Sequence, residues 1–378
     1  MTLDELAATI RSHGTAGQAV RPVGGGTKLG WGTASPGDAV DVETSGLDRI
    51  AEHNVGDFTA VVQPGATLRE LDERFAASGQ MLALDTSFGE GDEATLGGAV
   101  ATGDSGPLRH RYGAARDLVL GITVALSDGS LARAGGKVIK NVAGYDLAKL
   151  YSGSFGTLGL ICEIAVRLHP RAPATATATG ATDDPATLQR AAIALSSSSL
   201  EAQALDVRWE AQSGCILARF AGIAAVAQAA AAERVLAQLG VAAAATADDE
   251  ALWAHQRATQ RSADGGAVVR VSGRPTGLTD ACVAAQIAGA ALVGRAALGL
   301  WWIALPATAP GELVTAIARL RKVLAPSPCV VLDAPAHVRA HLDPWDHVED
   351  PGVVLMRRVK ERFDPTRTCN PGIYVGGI

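Results

Sequence analysis

The sequence predicts a mixed α+β protein that is built from more than one domain. Its 378 residues exceed the length of an average domain. Hydrophobic residues make up 48% of the chain and charged residues 19%, so the chain can bury a sizeable core and should not be disordered. Strand and helix patterns alternate up to Leu168, and the composition then changes to an alanine–threonine alternation. We therefore predict a first domain over residues 1–172, a second over 173–328 and a C-terminal segment over 329–378.

The first elements follow from hydrophobic periodicity and capping signals. Apolar residues three to four positions apart predict a helix at the N-terminus, which Gly14 is placed to end. A short strand over Gln18–Val23 follows. Thr67 predicts the start of another helix, because Glu70 three residues later completes a capping box. The apolar run that ends at the turn Asp128-Gly129 predicts a hairpin.

The second region alternates strands and helices in a pattern typical of an antiparallel sheet. We predict a helix over Pro185–Ser196, strands over Leu205–Ala211 and Cys215–Ala221, and a long alanine-rich helix up to Leu239. Alanine is the best helix former, so the alanine tracts are interpreted as ordinary helix.

Charge and cysteine content exclude several classes of function. The 33 basic and 39 acidic residues give a net charge of −6, and aromatic residues make up 4%, so we expect no nucleic-acid binding. The five cysteines are scattered without a CxxC pair, which argues against a disulfide framework, a zinc site or an iron–sulfur cluster. Arg295 interrupts the most apolar stretch, which is too short to span a membrane. The first residues indicate a helix rather than a signal peptide, so we expect a cytoplasmic protein that reaches a membrane only through partner subunits.

Glycine-rich turns are the first chemical signal. Gly24-Gly25-Gly26 follows a strand, and three glycines allow backbone N–H groups to converge on an anion with no side chain in the way. The loop lacks the Gly-Lys-Ser/Thr of a Walker A loop and has Leu29 where a GxGxxG fingerprint needs glycine. Further glycine-rich stretches are Thr95–Gly113, Gly135–Leu147 and Gly153–Ile161. Four such stretches suggest one elongated ligand of dinucleotide size held by the backbone, and the alternative is four unrelated turns.

Five motifs, in this order and spacing, resemble a known family. They are RPVGGGTKLG (Arg21–Gly30), ATLGG (Ala94–Gly98), SGPLRHRYG (Ser105–Gly113), KNVAGYDL (Lys140–Leu147) and GTLGLICEI (Gly156–Ile164). Together they are similar to the FAD-binding domain of the vanillyl-alcohol oxidase type, also called the PCMH type. The tail FDPTRTCNPG (Phe363–Gly372) is similar to the closing motif of the glycolate oxidase and D-lactate dehydrogenase branch. KNVAGYDL and YVGGI (Tyr374–Ile378) look most like the small FAD-binding E subunits of bacterial glycolate oxidases.

This resemblance implies a more specific fold within the α+β class. The FAD-binding domain would have two subdomains, near residues 1–58 and 59–172. The second domain would be a small α+β cap of the ferredoxin-like kind. The C-terminal segment would return to the FAD domain.

The resemblance also implies which residues bind FAD. These are Gly24, Gly25, Gly26, Thr27 and Lys28 in the diphosphate loop, Thr95, Gly97 and Gly98 along the dinucleotide, Ser105 and Gly106 near the flavin ring, and Gly156, Gly159, Leu160 and Ile161 along the ribityl chain and ring. Phe155 stands where the family often has glutamate, which removes one polar contact. Relatives with covalent FAD carry His or Cys in these loops, and residues 24–28 contain neither, so we expect non-covalent FAD.

Catalytic and substrate-binding candidates are named from chemistry. Lys140, Asn141 and Tyr145 are the candidates near the flavin ring, where a base would take the proton of a substrate hydroxyl. Arg257 and Arg270 are candidates for a clamp on a substrate carboxylate, because a guanidinium binds carboxylates through two hydrogen bonds. A structural ion pair is the alternative for each arginine.

A histidine spacing near the C-terminus could indicate a metal site. His337 and His341 are four residues apart, as on one helical face, and His347 lies beyond them. No acidic residue completes an HExxH pattern, so we expect no metal there.

The resemblance leaves three functions open. In the first, the chain is the FAD subunit of a glycolate oxidase or dehydrogenase, which transfers hydride from a small 2-hydroxy acid to FAD and passes electrons to an iron–sulfur partner. In the second, it binds FAD without turning over substrate, as a partner or electron-transfer subunit of a related, larger catalytic flavoprotein. The larger catalytic relatives carry a metal motif of the HGDGNLH kind, and its absence from this sequence favours the second. The third is another FAD-linked alcohol or sugar-acid oxidase.

Overall fold

The computed structural model of the protein describes residues 1–34, 37–139, 145–261 and 264–378. These residues divide into two units. Unit 1 comprises Met1–Ser105, Tyr112–Arg171 and His347–Ile378, and unit 2 comprises Gly106–Arg111 and Ala172–Asp346. The C-terminal segment thus divides at residue 346 rather than at 329, because the strand Cys329–Asp333 pairs with Ala267–Ser272 in the sheet of unit 2.

Unit 1 combines small sheets with mostly short helices. Its five-stranded antiparallel sheet has the order Ile50–Asn54, Thr59–Val62, Leu160–Arg167, Val119–Ala125 and Leu131–Gly135. Two strand pairs join Val20–Val23 to Val40–Glu43 in parallel and Gln80–Met81 to His169–Pro170 in antiparallel fashion. The helices include Leu3–Thr15, Leu68–Ala76, Leu96–Thr102, Ala115–Leu118, Ala148–Tyr151 and Pro351–Phe363.

Local signals of the sequence place several of these elements. The first helix buries Leu6 and Ile10, which lie on its predicted apolar face. The predicted capping box is confirmed, because Glu70 N donates to Thr67 Oγ1 over 3.2 Å at the start of its helix. The predicted hairpin is also confirmed, with strands Val119–Ala125 and Leu131–Gly135.

The C-terminal tail packs into the core of unit 1. Cys369 is fully buried in a cluster with Leu6, Ile10 and Leu160. Burial raises the pKa of the Cys369 thiol above its ordinary value. The side chain is therefore a core residue in its thiol form rather than a reactive thiolate.

Unit 2 contains an eight-stranded antiparallel sheet made of two βαββαβ modules. The first module has strands Thr175–Thr182, Ala204–Glu210, Ser213–Ala221 and Ala242–Thr246, with helices Pro185–Ser196 and Ala225–Gln238. The second has strands Ala267–Ser272, Ala291–Arg295, Leu300–Leu305 and Cys329–Asp333, with helices Leu278–Ile287 and Pro310–Leu324. Each module has the ferredoxin-like strand order 4-1-3-2. The expectation of one ferredoxin-like cap is thus extended to a pair of modules in one sheet.

The two modules join through their second strands, Ala204–Glu210 and Ala291–Arg295. The helix Glu250–Ala258 lies between the modules in sequence, and the short helix Ala336–Arg339 follows the last strand. Within the described ranges, no helix is both long and apolar enough to cross a membrane.

His169 makes the stability of unit 1 depend on pH. Burial, and then the charge of Arg167, lowers the pKa of His169 to about 4, and its ring lies 4.5 Å from that of Tyr112. The unfolded chain binds a proton at this histidine below pH about 6.5, whereas the folded chain binds it only near pH 4. Stability contributed by the neutral ring should therefore be lost as the pH falls through that window. We expect His169→Gln to flatten the fall of Tm between pH 6.5 and 4, measured by thermal unfolding.

The matched control is His337→Gln, which replaces an exposed histidine of unit 2. It should leave the pH profile of Tm unchanged. Parallel profiles for wild type and His169→Gln would contradict the assignment.

Candidate functional site

The glycine loop forms one wall of a cleft in unit 1. It follows the strand Val20–Val23, whose pairing with Val40–Glu43 fixes where the loop begins. The cleft is lined by Arg21, Pro22, Gly24, Gly25, Gly26, Thr27, Lys28, Leu29, Thr95, Gly98, Ala101, Thr102, Phe155, Asn370 and Ile373. It thus brings together seven of the predicted FAD residues from two motifs that are about 70 residues apart in sequence.

Two glycines of the loop have no space for a side chain. A Cβ at Gly24 would lie 2.6 Å from Thr95 Oγ1, and one at Gly25 would lie 1.7 Å from the carbonyl oxygen of Glu93. The packing of the protein itself therefore requires glycine at these two positions. The backbone of Glu93 thus requires glycine at position 25, independently of any diphosphate in the cleft.

The ATLGG motif supplies the opposite wall and the start of a helix. Thr95 caps the helix Leu96–Thr102, and its Oγ1 accepts from Gly98 N over 3.2 Å. Gly97 N donates to Pro64 O over 2.8 Å, and a Cβ at Gly97 would lie 2.5 Å from the Pro64 side chain. Thr95 and Gly98 therefore face the cleft, whereas Gly97 packs against Pro64.

Lys28 anchors the loop through an ion pair. Its Nζ lies 3.6 Å from Asp104 Oδ2, and the two side chains are 5% and 2% exposed. The other oxygen of Asp104 accepts from Ser105 N over 2.9 Å. Lys28 thus connects the glycine loop to the turn that contains Ser105, and in this structure it neutralises a carboxylate.

Gly106 belongs to the segment Gly106–Arg111, which is part of unit 2. Its carbonyl oxygen accepts from Arg295 Nε over 3.0 Å. Burial, and then the charge of Arg111, lowers the pKa of His110 in this segment, so its imidazole is neutral at pH 7.

The GTLG turn packs against the entry to the glycine loop. A Cβ at Gly156 would lie 2.9 Å from Pro22 Cγ, and one at Gly159 would lie 2.9 Å from Ala125 O. Leu160 and Ile161 begin the strand Leu160–Arg167, and their side chains are buried. Any contact of these four residues with a ligand would therefore be made through the backbone.

The C-terminal tail, which the resemblance expects to return to this domain, holds these loops together through contacts that the sequence did not predict. Lys360 Nζ is buried and donates to Thr157 O, Cys369 O and Asp364 Oδ2 over 2.6–2.7 Å. Asn370 Nδ2 donates to Phe155 O over 2.7 Å. The resemblance of FDPTRTCNPG to a closing motif marked this segment, but no local pattern assigned roles to its residues.

Of the three catalytic candidates, the structure describes Tyr145. Lys140 and Asn141 lie outside the described residues. Tyr145 is 90% exposed, so its hydroxyl is in water. These roles stay predictions.

The two arginine candidates lie on different elements of unit 2. Arg257 Nη2 is 3.3 Å from Glu250 Oε1 on the same helix, which agrees with the structural alternative. Arg270 lies in the middle of the strand Ala267–Ser272, opposite Trp302 on one side and Val330 on the other. Its role also stays a prediction.

Two of the histidines near the C-terminus make hydrogen bonds through their rings. His341 Nδ1 bonds to the carbonyl oxygen of His337 over 2.7 Å, and His347 Nε2 bonds to Glu349 over 3.1 Å. In the part of the chain that the structure describes, no group of three or more His, Cys, Asp or Glu residues could hold a metal ion.

The chemistry of the cleft fits a dinucleotide such as FAD. The glycine loop offers backbone N–H donors for phosphate oxygens, and two of its residues admit no side chain. Asn370 lines the cleft, and its Oδ1 is buried without a hydrogen-bond partner among the described residues. No His or Cys in residues 24–28 could form a covalent flavin link.

Comparison with known proteins identifies this part of the chain. Residues 1–135 match the model of a family described as "FAD binding domain". The expected cofactor class, FAD, is thereby confirmed for the domain that contains the glycine loop.

The relatives in sequence are enzymes or enzyme subunits. The chain is 35% identical over 166 residues to mitochondrial D-lactate dehydrogenase [cytochrome] of Arabidopsis thaliana, covering 44% of this chain and 29% of that protein. It is 35% identical over 150 residues to glycolate oxidase subunit GlcD of Bacillus subtilis, covering 40% and 32%. It is 39% identical over 122 residues to glycolate oxidase subunit GlcE of Escherichia coli, covering 32% and 35%. The chain thus matches about a third of the length of these relatives.

Solved structures extend the likeness to nearly the whole chain. An alkyldihydroxyacetonephosphate synthase has a TM-score of 0.74 at 17% identity, covering 98% of this chain and 75% of the other. The xylooligosaccharide oxidase of Myceliophthora thermophila C1 has a TM-score of 0.72 at 15% identity, covering 99% and 89%. At these identities the likeness shows the fold alone, and it confirms the predicted fold class.

Proposed function

We propose that this protein is an FAD-dependent oxidoreductase subunit that oxidises a small 2-hydroxy acid, with glycolate as the first candidate. The observation that carries the proposal is the similarity of 122 to 166 residues of the chain to two glycolate oxidase subunits and a D-lactate dehydrogenase, at 35–39% identity. Glycolate and lactate are both 2-hydroxy acids, so the relatives share one reaction class.

The residues of unit 1 would hold the cofactor in this proposal. Gly24–Thr27 would bind the diphosphate through backbone N–H groups, and Lys28 would hold the loop through Asp104. FAD, when bound, would supply a two-electron acceptor for the hydride lost from the substrate carbon. We expect FAD to be bound non-covalently.

The substrate residues remain part of the proposal. Arg257 and Arg270 stay the two candidates for the carboxylate, and Arg257 Nη2 also lies 3.3 Å from Glu250 Oε1. A base for the substrate hydroxyl would come from Lys140, Asn141 or Tyr145. Electrons would pass to an iron–sulfur partner, within a complex that includes a larger, related flavoprotein subunit.

A second candidate is an FAD-binding partner subunit that turns over no substrate. The absence of an HGDGNLH string from the sequence favours it. In that case the larger flavoprotein subunit would carry out the oxidation, and this chain would bind FAD or transfer electrons.

Anaerobic flavin reduction separates the two candidates. We expect glycolate or D-lactate, added without oxygen to the purified yellow protein, to bleach the visible band of the bound flavin, because hydride transfer produces the reduced form. Stopped-flow absorbance measures the rate, acetate is the control that lacks the hydroxyl group, and dithionite shows that the flavin can be reduced. A flavin that dithionite bleaches but both hydroxy acids leave oxidised would contradict the first candidate and support the second.

A further inference from the structure

The tail residue Asn370 is fixed beside the entry to the glycine loop. Val20 N donates to Thr368 O over 2.7 Å, and Asn370 N donates to Val20 O over 2.9 Å. The tail therefore runs along the strand that leads into Gly24. Asn370 has a φ of 41°, in the left-handed region where asparagine is favoured over most other residues.

The side chain of Asn370 is oriented by a single hydrogen bond. It is 4% exposed, and its Nδ2 donates to Phe155 O over 2.7 Å. The reversed amide would place two carbonyl oxygens against each other, so the hydrogen-bond network determines the orientation. Oδ1 consequently points away from Phe155.

Oδ1 is left as a buried acceptor on a residue that lines the cleft. It has no hydrogen-bond partner among the described residues, and Asn370 lines the cleft together with Gly24–Thr27. A buried carbonyl oxygen without a donor destabilises the fold, so such atoms are rare in folded proteins. The missing donor is therefore expected to come from the ligand.

The chemistry of the cleft restricts which ligand group this is. The glycine loop offers N–H donors, which suit phosphate oxygens, and a phosphate diester has no proton to donate in return. The donors of FAD nearest to its diphosphate are the hydroxyls of the ribityl chain on one side and of the ribose on the other. Asn370 also holds the Phe155 turn, which begins the GTLG segment expected along the ribityl chain.

We propose that Asn370 is a further FAD-binding residue whose Oδ1 accepts a hydrogen bond from a ribityl hydroxyl. This inference rests on the FAD binding of the proposed function but not on its substrate. Through Nδ2 and Oδ1 the same carboxamide connects the Phe155 turn to the cofactor. The tail is thereby made part of the binding site, although it lies more than 200 residues from the other loops in sequence.

A variant and cofactor analogues test the proposal together. Asn370→Gly removes the carboxamide, and glycine adopts the left-handed backbone without strain. Binding of FAD and of 2′-, 3′- and 4′-deoxyribityl FAD to the apoprotein is measured by flavin fluorescence. We expect Asn370→Gly to weaken FAD binding about tenfold, the effect of one hydrogen bond. Wild type should bind one of the three analogues about tenfold more weakly than it binds FAD. The variant should bind that analogue and FAD with the same affinity.

The outcomes separate a direct contact from a structural role. Equal losses for FAD and every deoxyribityl analogue in the variant would mean that Asn370 only supports the fold, and would overturn the proposal. FAD that contains 2′-deoxyadenosine tests a contact with the ribose instead. If the variant removes the affinity difference for that analogue alone, the ribityl assignment is overturned. If Asn370→Gly fails to fold, the wild-type measurements still test the proposal. Undiminished affinity of wild type for all three deoxyribityl analogues would contradict the contact. Hydroxy-acid turnover is not measured, so a protein that shows the coupling but oxidises no hydroxy acid would contradict only the proposed function.

Discussion

Gly25→Ala is expected to yield a colourless and destabilised protein. The added Cβ would lie 1.7 Å from Glu93 O, far inside any van der Waals contact. The segment that follows Glu93 cannot easily retreat, because Leu68 N donates to Ala94 O and Ala94 N donates to Phe88 O, each over 2.8 Å. The glycine loop must therefore move instead, which displaces the backbone donors that the diphosphate needs. The ratio of flavin to protein absorbance after purification measures the loss, and thermal unfolding of the apoprotein measures the strain.

Two control glycines separate collision from general sensitivity. A Cβ at Gly56 would meet nothing within 4 Å, so Gly56→Ala should keep both flavin and stability. Gly26 has a φ of +72° and its nearest neighbour would lie 3.9 Å from a Cβ, so Gly26→Ala should cost only the roughly 1–2 kcal/mol of a left-handed alanine. If Gly25→Ala keeps the wild-type ratio of flavin to protein, the contact with Glu93 does not fix the position of the loop.

The position of the glycine loop was predictable because consecutive glycines leave the backbone unshielded by side chains. The sequence shows that residues 24–26 have no side chains, and it places the loop directly after a strand. It could not show which side of the loop is crowded. The neighbours of Gly24 and Gly25 are Thr95 and Glu93, and such contacts depend on tertiary packing rather than on local pattern.

The roles of the tail could not be predicted for a related reason. Lys360 bonds to Thr157, and Asn370 bonds to Phe155, over more than 200 residues of sequence. Capping boxes and hairpins involve neighbours in the chain, so Thr67 and the turn at Gly129 were predictable. A lysine and an asparagine in a polar tail are typical of an exposed surface, and only the fold shows that these two are buried.

The second unit shows the same limit at the level of architecture. Strands and helices were expected there, but two modules were not distinguished from one. The helices of both modules bury alanines such as Ala229 and Ala285, which give a weak hydrophobic pattern. The joint between the modules is the pairing of Ala204–Glu210 with Ala291–Arg295. Pairing between strands so far apart in sequence cannot be predicted from a local sequence pattern.

That joint carries a buried ion pair, and Arg295→Met is expected to be strongly destabilising. Arg295 and Asp206 face each other across the two strands, both side chains are 0% exposed, and Nη1 lies 2.7 Å from Oδ2. The guanidinium also donates to Gly106 O and Gln260 Oε1 and lies 4.6 Å from the Trp302 ring. Removing the arginine leaves the Asp206 carboxylate buried without its counter-charge, which typically costs about 3–5 kcal/mol. Urea unfolding should show this decrease in the free energy of unfolding.

The double variant Arg295→Met/Asp206→Leu tests the cause. Replacing both partners with apolar side chains removes the uncompensated charge, so it should recover much of the stability that Arg295→Met loses. Arg69→Met is the matched control, because Arg69 and Asp92 form an ion pair with side chains 44% and 46% exposed. Exposed pairs contribute about 0–1 kcal/mol, so this variant should unfold nearly as wild type does. A double variant no more stable than Arg295→Met would assign the loss to the bonds with Gly106 and Gln260 rather than to the buried charge.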